Sequence, residues 1–321
     1  MNKKIIILSG DPNSINSELI FKSWKKIDVR LKKRIFLISN YKLLKSQFKK
    51  LNYKCKIEKI DNIENYSESP YLKVIDLKCK FKNPFNVSRT SASKFIINSL
   101  NLGHKLGLKK NVSGIINCAI SKNLLGGKKI GVTEFLANKC KITDKSEVML
   151  IKNRKFAVSP ITTHIDLADV SRLLKIKLIV KKVKLINQWF NEKYNKKPKI
   201  GILGLNPHNA ELRNDSHEKK IIKPSISKLR KFKVNIKGPL IADTVFIKDY
   251  KNYDVIIGMY HDQVLIPFKT LFKFDAINIT LGLKYLRVSP DHGVAINLIG
   301  KNKADQTSLL KCINFVQKFG R

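Results

Sequence analysis

The stretch Asp254-Val255-Ile256-Ile257-Gly258-Met259-Tyr260-His261-Asp262-Gln263 places a short apolar run directly before three polar side chains. A run of this length that is rich in Ile and Val is typical of a buried strand of a parallel sheet, so we predict a strand over Asp254–Tyr260. Similar runs alternate with longer helix-like stretches, which indicates an α/β protein with parallel strands joined by crossover helices. The other predicted strands are Lys4–Ser9, Arg34–Ser39, Val112–Asn117, Phe156–Pro160, Lys199–Leu205 and Ala276–Leu281. The predicted helices are Ser88–Leu108, Asp166–Tyr194, Glu218–Lys231 and about Ala304–Phe319.

Length and composition fit a folded protein of two lobes. The chain has 321 residues, which is more than one typical domain of about 100–200 residues. An apolar fraction of 43% excludes disorder as the main state. The longest early apolar run, Ile5 to Leu8, is too short for a membrane span or a signal-peptide core. We therefore predict a cytoplasmic protein with no membrane partner.

The net charge of +40 would ordinarily suggest a nucleic-acid partner. Only nine of the 64 cations are Arg, the residue suited to bidentate binding of phosphates and bases. The 55 lysines are spread along the chain without a basic tail, so we predict no specific nucleic-acid binding and attribute the excess to AT-rich coding. A Lys-rich polyanion-binding protein without enzymatic activity is the alternative from another class. The five cysteines have no C-x-x-C spacing, which argues against a disulfide framework or a zinc knuckle.

Three histidines stand just past the ends of predicted strands: His164, His208 and His261. Because ligands bind at the carboxyl ends of strands in open parallel sheets, we expect the three imidazoles to converge. Neutral imidazoles are good ligands for divalent transition metals, and three of them leave positions open for a substrate hydroxyl. Any single one could be a hydrogen-bonded loop histidine. Their equivalent placement favours a metal site.

Polar residues near His261 suggest an anionic substrate. Asn278 interrupts the apolar strand Ile-Asn-Ile-Thr-Leu, so we expect it to face a cleft. Lys269 and Arg287 on either side would supply the fixed positive charge that a phosphorylated or carboxylated metabolite requires.

Motifs in several parts of the chain resemble the 4-hydroxythreonine-4-phosphate dehydrogenase family of pyridoxal phosphate biosynthesis. The resemblance extends through nearly the whole chain, and the motifs occur in the order of the family. They are Gly10-Asp11-Pro12, Gly131-Val132-Thr133-Glu134, Thr163-His164, Gly204-Leu205-Asn206-Pro207-His208, Gly238-Pro239-Leu240-Ile241-Ala242-Asp243-Thr244, Gly258-Met259-Tyr260-His261-Asp262-Gln263 and Asn278-Ile279-Thr280-Leu281-Gly282-Leu283.

The resemblance implies a two-lobed α/β/α architecture of the isocitrate and isopropylmalate dehydrogenase type. The active site is expected in the interlobe cleft, near the interface of a homodimer. On this basis residues 1–130 with about 285–321 form the cofactor lobe, and about 131–284 form the lobe that carries the metal and the dimer contacts.

The resemblance also implies the reaction, which is NAD-dependent and divalent-metal-dependent oxidation of 4-phosphooxy-L-threonine at C3, followed by decarboxylation. The small phosphorylated hydroxy acid and one Zn, Mn, Co or Mg ion share the site. The implied residues are His164, His208 and His261 for the metal, Thr133, Lys269, Asn278 and Arg287 for the substrate, and Asp243 and Lys269 for catalysis.

The chain has no G-x-G-x-x-G after a strand, which argues against a classical dinucleotide fold. The segment from Asp291 to Asp305 instead resembles the His-Gly loop that holds the adenosine of NAD in the isopropylmalate dehydrogenase superfamily. NADP is the alternative cofactor. The implied cofactor residues are His292, Gly293, Ala295, Asn297 and Asp305.

The chain departs from the family pattern at two single residues and in two segments, one of which is Asn13-Ser14-Ile15-Asn16-Ser17 in place of a Gly-rich opening. Val132 stands where the family has the histidine of Gly-His-Thr-Glu, and Asn297 replaces an acidic residue of the His-Gly loop. Residues 117–122, Asn-Cys-Ala-Ile-Ser-Lys, stand where the family has Thr-x-Pro-Ile-Asn-Lys. These departures leave open a related dehydrogenase of a phosphorylated four-carbon sugar acid, such as threonate or erythronate phosphate.

Overall fold

The computed structural model describes residues 3–125 and 131–320. The chain forms two compact units, Met1–Lys139 with Lys284–Arg321, and Cys140–Leu283. Both units contain strands and helices, which confirms the α/β class. The helix Val132–Lys139 lies in the first unit, whereas the sequence-based boundary at residue 130 assigns it to the second lobe.

The strands of the first unit form a parallel arrangement, as the sequence predicts. They are β1 (Lys4–Leu8), β2 (Ile35–Ser39), β3 (Ile57–Ile60), β4 (Leu72–Asp76), β5 (Val112–Asn117) and β12 (Arg287–Pro290). Their order is β3-β4-β2-β1-β5-β12, and every pair of neighbours in this order is parallel. The central strands are buried on both faces because helices cover the sheet.

Three helices of the first unit begin at a residue whose side chain caps them, namely Asp28, Asn40 and Ser88. The Asn40 side chain accepts a hydrogen bond from the Leu43 amide at 2.8 Å, and Ser88 caps the long fourth helix in the same way. Gly103 lets that helix approach β1 closely, because a Cβ there would lie 3.0 Å from Leu8 Cδ2. The helices are α1 (Asn16–Lys26), α2 (Val29–Lys32), α3 (Tyr41–Lys50), α4 (Arg89–Gly107), α5 (Val132–Lys139) and α11 (Thr307–Phe319).

The second unit departs from an all-parallel sheet. Its strands are β6 (Val148–Lys152), β7 (Ala157–Pro160), β8 (Ile200–Leu203), β9 (Ile236–Leu240), β10 (Val255–Gly258) and β11 (Ile277–Leu281). In the order β11-β6-β7-β10-β8-β9, β6 is antiparallel to both of its neighbours. The β6–β7 connection is a tight turn in which Asn153 Oδ1 accepts from Phe156 N at 2.8 Å. So short a connection cannot cross over to make parallel strands.

The predicted helix over Asp166–Tyr194 is two helices. Leu174 and Lys175 are extended, with ψ of 120° and 144°, and break it. In the predicted helix from Glu218, the first five residues form a wider π-helical turn before the α-helix starts. The helices of the second unit are α6 (Leu167–Leu173), α7 (Ile176–Tyr194), α8 (Lys223–Lys231), α9 (Ala242–Val245) and α10 (His261–Phe272).

The core of the second unit is packed around β7, β10 and α10. Phe268 of α10 is fully buried against Phe156 and Val158, beside Ile256 of β10. Burying such large apolar side chains fixes α10 on the sheet and thereby fixes its first residue, His261. In the described part of the chain, no helix combines the length and apolar character needed to cross a membrane.

Candidate active site

Three adjacent parallel strands of the second unit each lead into a histidine. His164 follows β7, His261 follows β10 and His208 follows β8 within a few residues. β10 lies between the other two and is parallel to both. The three histidines therefore stand at the carboxyl ends of neighbouring strands, where ligands bind in α/β folds.

His164 and His261 are brought together directly. Their ring centroids lie 5.8 Å apart, and both residues are half-buried. His261 Nδ1 lies 2.6 Å from Asp262 Oδ1, and a carboxylate on Nδ1 leaves Nε2 available as a ligand atom. Within residues 3–125 and 131–320, no three His, Cys, Asp or Glu side chains form a ready metal-binding group. A pair of imidazoles with a carboxylate behind one of them nevertheless has the donor chemistry of a transition-metal site.

Two side chains that the sequence analysis did not single out connect the ends of these strands. Thr162 Oγ1 donates to the Met259 carbonyl at 2.7 Å, which joins the segment after β7 to that after β10. Gln263 Oε1 accepts from Met259 N, and its Nε2 donates to the Gly204 carbonyl after β8, both at 2.7 Å. These contacts hold the backbone before each histidine in place.

Glu218 organises the segment before His208. It is fully buried, and its Oε1 accepts from the amides of Leu205 and Asn206 at 2.8 Å each, while Oε2 accepts from Asn206 Nδ2 at 3.1 Å. Burial alone would raise the pKa of Glu218, but the hydrogen bonds from Asn206 and Leu205 outweigh it and lower the pKa. The role of Glu218 follows from its hydrogen-bond partners, which sequence alone does not show. The sequence analysis therefore did not identify this residue.

His208 begins an unusual turn. All five residues from His208 to Leu212 have φ between +48° and +58°, a conformation that costs non-glycine residues energy. The His208 side chain is exposed. Asn209 holds the turn in place by donating from Nδ2 to the Pro239 carbonyl at 3.1 Å. Helix α9, which carries the exposed Asp243, contacts this turn.

Lys269 and Asn278 lie on separate elements of the second unit. Lys269 is half-buried on α10, with Nζ 5.6 Å from the centre of the Phe274 ring. Asn278 lies on β11 opposite Ile151. Among the described residues, none forms a hydrogen bond with the buried Asn278 Oδ1, so this oxygen has an unused capacity to accept one.

Arg287 and Thr133 meet in the first unit. Arg287 opens β12 and is 2% exposed, with Nη1 3.4 Å from Thr133 Oγ1. Its Nε donates to Asn117 Oδ1 at 2.6 Å. Burial lowers the pKa of Arg287 to about 10, although the charge of Glu134 opposes this shift. The guanidinium therefore stays charged at neutral pH and is a buried cation of this unit.

The predicted cofactor loop follows β12. His292 Nδ1 lies 2.9 Å from the Gly293 carbonyl, Ala295 has a left-handed backbone with φ of +46°, and Asn297 is exposed in a short 3₁₀ turn. The Asp305 carboxylate accepts from the amide and hydroxyl of Thr307 at 2.8 and 2.6 Å, which lowers the pKa of Asp305. Asp305 thus stabilises the start of α11 as well as lying at the end of the loop.

Helix α1 anchors that loop through a partly buried ion pair, Glu18 and Lys22, which the sequence analysis did not predict as site residues. Glu18 Oε1 accepts from the Ala304 amide at 2.8 Å and from Lys22 Nζ at 2.7 Å. Lys22 Nζ also donates to the carbonyls of Asn302 and Ala304 at 3.0 Å each. The loop is therefore tied to α1 by a charge-assisted network, which is stronger than neutral hydrogen bonds.

The comparisons with known proteins identify the family to which the chain is similar. The model of a family described as pyridoxal phosphate biosynthetic protein PdxA matches residues 31–316. The 4-hydroxythreonine-4-phosphate dehydrogenase of Aquifex aeolicus (strain VF5) is 38% identical over 323 residues, covering 99% of this chain and 98% of the relative. A protein of Oceanobacillus iheyensis provisionally named D-threonate 4-phosphate dehydrogenase is 30% identical over 331 residues, covering 98% of this chain and 97% of its own.

Solved structures place the fold in the same group. The crystal structure of 4-hydroxythreonine-4-phosphate dehydrogenase from Klebsiella pneumoniae superposes with a TM-score of 0.84 at 28% identity, covering 99% of this chain and 98% of that one. Isocitrate dehydrogenase from Methylococcus capsulatus, at 9% identity, gives a TM-score of 0.53 over 98% of this chain and 84% of its own. This second likeness concerns the fold alone.

Proposed function

The chain belongs to the PdxA family of pyridoxal phosphate biosynthetic proteins, and from that premise we propose that it oxidises 4-phosphooxy-L-threonine at C3 with NAD, after which the product loses carbon dioxide. One observation carries the proposal. His164 and His261 lie 5.8 Å apart at the ends of parallel strands, in a chain whose relatives are named 4-hydroxythreonine-4-phosphate dehydrogenase.

We assign His164, His208 and His261 to one divalent cation. Their imidazoles favour Zn²⁺, Mn²⁺ or Co²⁺ over Mg²⁺, which prefers oxygen ligands. The Asp262 carboxylate beside His261 Nδ1 would fix that ring's tautomer. When bound, the cation supplies Lewis acidity that makes the substrate hydroxyl more acidic and withdraws electrons from the carbonyl that replaces it.

The side chains of this protein would bind the oxyanions and move the proton. Arg287 and Thr133 bind the acidic end of the substrate, and Asn278 Oδ1 accepts from a substrate N–H or O–H. Asp243 or Lys269 takes the hydroxyl proton while the hydride leaves C3 for the nicotinamide. The bond from the neighbouring carbon to the carboxylate then breaks, carbon dioxide leaves, and a proton returns to that carbon.

The cofactor would be held by the loop from Asp291 to Asp305, with contacts from His292, Gly293, Ala295, Asn297 and Asp305. The anchoring of this loop on α1 by Glu18 and Lys22 supports a role that needs a fixed backbone. Asn297 is neutral, so it would not repel the 2′-phosphate of NADP as a carboxylate would, and NADP is the second cofactor to test.

We also propose a homodimer. Large apolar side chains are exposed around α9 and α10, including Ile247 at 69%, Ile266 at 63% and Phe274 at 61%. Exposed apolar residues in such number are typical of protein interfaces. Sedimentation velocity should give a particle of twice the chain mass, and Ile266→Lys should shift it toward the monomer.

A second candidate substrate is D-threonate 4-phosphate or another phosphorylated four-carbon acid. The relative from Oceanobacillus iheyensis carries such a name at 30% identity, and Val132 removes a polar group that the family pattern places beside Thr133. The two candidates differ at the amino-bearing carbon, so the same assay separates them.

The decisive experiment measures NADH formation with 4-phosphooxy-L-threonine, D-threonate 4-phosphate and D-erythronate 4-phosphate, with and without a chelator. We expect turnover of one acid that stops with chelator and returns with Mn²⁺, Co²⁺ or Zn²⁺. Absence of turnover with all three acids, in metal-supplemented protein, would refute the proposal. Nucleic-acid binding that persists at moderate salt would then favour the polyanion-binding alternative.

A further inference from the structure

The turn near the end of the predicted cofactor loop is held from two sides. Asn302 lies in this turn with a left-handed backbone, φ +55°, a conformation that asparagine adopts more readily than most residues. Its backbone carbonyl accepts a hydrogen bond from Lys22 Nζ at 3.0 Å, and its side-chain Oδ1 accepts one from the Tyr53 hydroxyl at 2.6 Å. Two contacts from remote parts of the chain therefore fix the turn just before Ala304 and Asp305.

The ring of Tyr53 is itself fixed by helices α1 and α3. It stacks on Phe21 of α1 with 4.1 Å between ring centroids and 5° between ring planes, and it meets Phe48 of α3 edge-on at 6.3 Å. The Tyr53 amide donates to the Phe48 carbonyl at 2.8 Å. A ring packed on two sides leaves the hydroxyl little freedom, so its hydrogen bond to Asn302 has a small entropic cost.

The Tyr53 hydroxyl is a donor at neutral pH. Desolvation raises the pKa of Tyr53 to about 12, and the charge of Glu18 adds to the shift. The phenol therefore keeps its proton, and Asn302 Oδ1 is the acceptor because an amide oxygen has no proton to give.

The exposed residues of this loop suit an adenosine. Ile296 is 64% exposed, and Asn297 beside it is exposed as well. An apolar surface suits the flat face of a purine, and an amide can donate to or accept from the ribose hydroxyls. A loop that binds a ligand through several of its residues needs a fixed backbone, since ordering a mobile loop on binding costs affinity.

We propose that Tyr53 is a positioning residue for the dinucleotide cofactor, which acts through Asn302 to keep the end of the loop, with Asp305, in the conformation that binds the adenosine part. The proposal rests on the proposed function, because it takes the loop from Asp291 to Asp305 to be the cofactor site. Tyr53 acts on the cofactor through the loop, so it should change the affinity for the cofactor and not the rate of hydride transfer.

Tyr53→Phe removes the hydroxyl and keeps the stack on Phe21. The dissociation constant of NADH, measured by its fluorescence, should rise about twofold to tenfold, the range expected for one lost hydrogen bond. KM for NAD should rise by the same factor, while kcat and KM for the phosphorylated acid stay unchanged. A purely structural contact would lower the free energy of unfolding without changing the NADH dissociation constant. Tyr71→Phe, which removes an exposed hydroxyl 3.5 Å from Lys56 Nζ, is the matched control and should bind NADH as the wild type does.

Asn302→Gly removes the acceptor and still allows the left-handed backbone. A double-variant cycle with Tyr53→Phe tests the contact itself. Two changes that break one bond should together weaken NADH binding no more than the stronger of the two does alone. Additive effects would show that Tyr53 and Asn302 act independently and would overturn the inference. If Tyr53→Phe does not fold, Asn302→Gly decides, because it breaks the same bond and should weaken NADH binding in the same range.

ADP identifies the part of the cofactor concerned. It carries the adenosine end alone, so its affinity, measured by calorimetry, should fall in Tyr53→Phe by the same factor as that of NADH. NADPH shares this end and should behave alike if it binds. An unchanged NADH dissociation constant in a folded Tyr53→Phe would overturn the inference while leaving the proposed function intact. A wild-type protein that binds neither NADH nor NADPH would instead overturn the proposed function, and the inference with it.

Discussion

The imidazole rings of His164 and His261 lie 5.8 Å apart, centroid to centroid, because β7 and β10 pair in parallel and end at the same edge. The pairing extends past the strands, with Ile161 N donating to the Gly258 carbonyl at 2.8 Å and Thr162 N to that of Met259 at 3.1 Å. The register therefore fixes both histidines before any metal binds. Such preorganisation keeps the entropic cost of gathering ligands low.

The first prediction concerns these ligands. We expect a large loss of affinity for divalent metal in each of the variants His164→Ala, His208→Ala and His261→Ala. Mutating a residue that only hydrogen-bonds to a metal ligand typically lowers the affinity by about 10–100-fold, and removing a ligand should lower it by more. Dehydrogenase activity should fall in parallel. The free energy of unfolding of the metal-free protein should change by less than about 1 kcal/mol, because these side chains are half-buried or exposed.

Metal content by mass spectrometry and urea unfolding measure the two effects separately. His217→Ala, a half-buried histidine outside the proposed set, is the control. Full metal occupancy in any one of the three variants would remove that histidine from the site.

The second prediction concerns Glu218. Glu218→Gln should lower the free energy of unfolding by about 2–3 kcal/mol. The buried carboxylate accepts hydrogen bonds from the Leu205 and Asn206 amides and from the Asn206 side chain. In the variant, the NH₂ group of a neutral amide would face some of these donors. Metal affinity should fall as well, since this network fixes the segment before His208. Glu211→Gln, an exposed change in the same loop, should have no effect. Equal free energies of unfolding for Glu218→Gln and Glu211→Gln would show that the hydrogen bonds of Glu218 do not contribute to stability.

The third prediction concerns pH. Lys152 is 8% exposed, its Nζ lies 5.3 Å from the centre of the Tyr194 ring, and burial lowers the pKa of Lys152 from 10.5 to about 8 despite the charge of Asp254. At pH 7 both the folded and unfolded states hold the proton, so the folded state bears the cost of a buried charge. Lys152→Met should therefore raise the free energy of unfolding at pH 7 by about 1–3 kcal/mol.

The sign of the pH dependence follows from the same shift. Between about pH 8 and 10.5 the folded state has released the proton and the unfolded state retains it, so the stability of the wild type rises with pH. The advantage of Lys152→Met over the wild type should shrink across this window. Urea unfolding at pH 7, 8.5 and 10 measures it, with the exposed Lys155→Met as control. A constant difference at all three pH values would contradict the pKa assigned to Lys152.

Most strands with a long apolar run were predictable from sequence, with the exception of β6, Val-Met-Leu-Ile-Lys, and most strands that include charged residues were not. All seven predicted strands are present, with no end displaced by more than two residues. The strands missed include β3, Ile-Glu-Lys-Ile, and β12, Arg-Val-Ser-Pro, in which polar side chains break the apolar pattern. Arg287 in β12 is buried because Asn117 binds it, a partner far away in the sequence. The hydrophobic periodicity of the sequence carries no information about a contact between residues this far apart in the chain.

The candidate site was predictable to a similar extent. The histidines could be found because each follows an apolar run, a local signal. The groups that hold them, Gln263 and Glu218, are recognisable only through contacts to segments remote in sequence. The same holds for Asn117 and for Lys22, whose function depends on the loop it anchors.

The last prediction concerns Val132, the half-buried first residue of α5 and the neighbour of Thr133, whose Oγ1 lies 3.4 Å from Arg287 Nη1. If the substrate phosphate binds here, it lacks the charge-assisted hydrogen bond that the histidine of the family pattern would donate and that valine cannot. Such a bond is worth about 1.5–3 kcal/mol, or roughly tenfold to a hundredfold in affinity. Val132→His should lower KM for 4-phosphooxy-L-threonine by up to that factor with little change in kcat, because a phosphate remote from the reacting carbon is bound about equally in ground and transition states. Val132→Ala, which adds no donor, should leave KM unchanged. If KM is unchanged or higher in a folded Val132→His, the site is built around valine and the substrate is a different acid, for which D-threonate 4-phosphate is the next to assay.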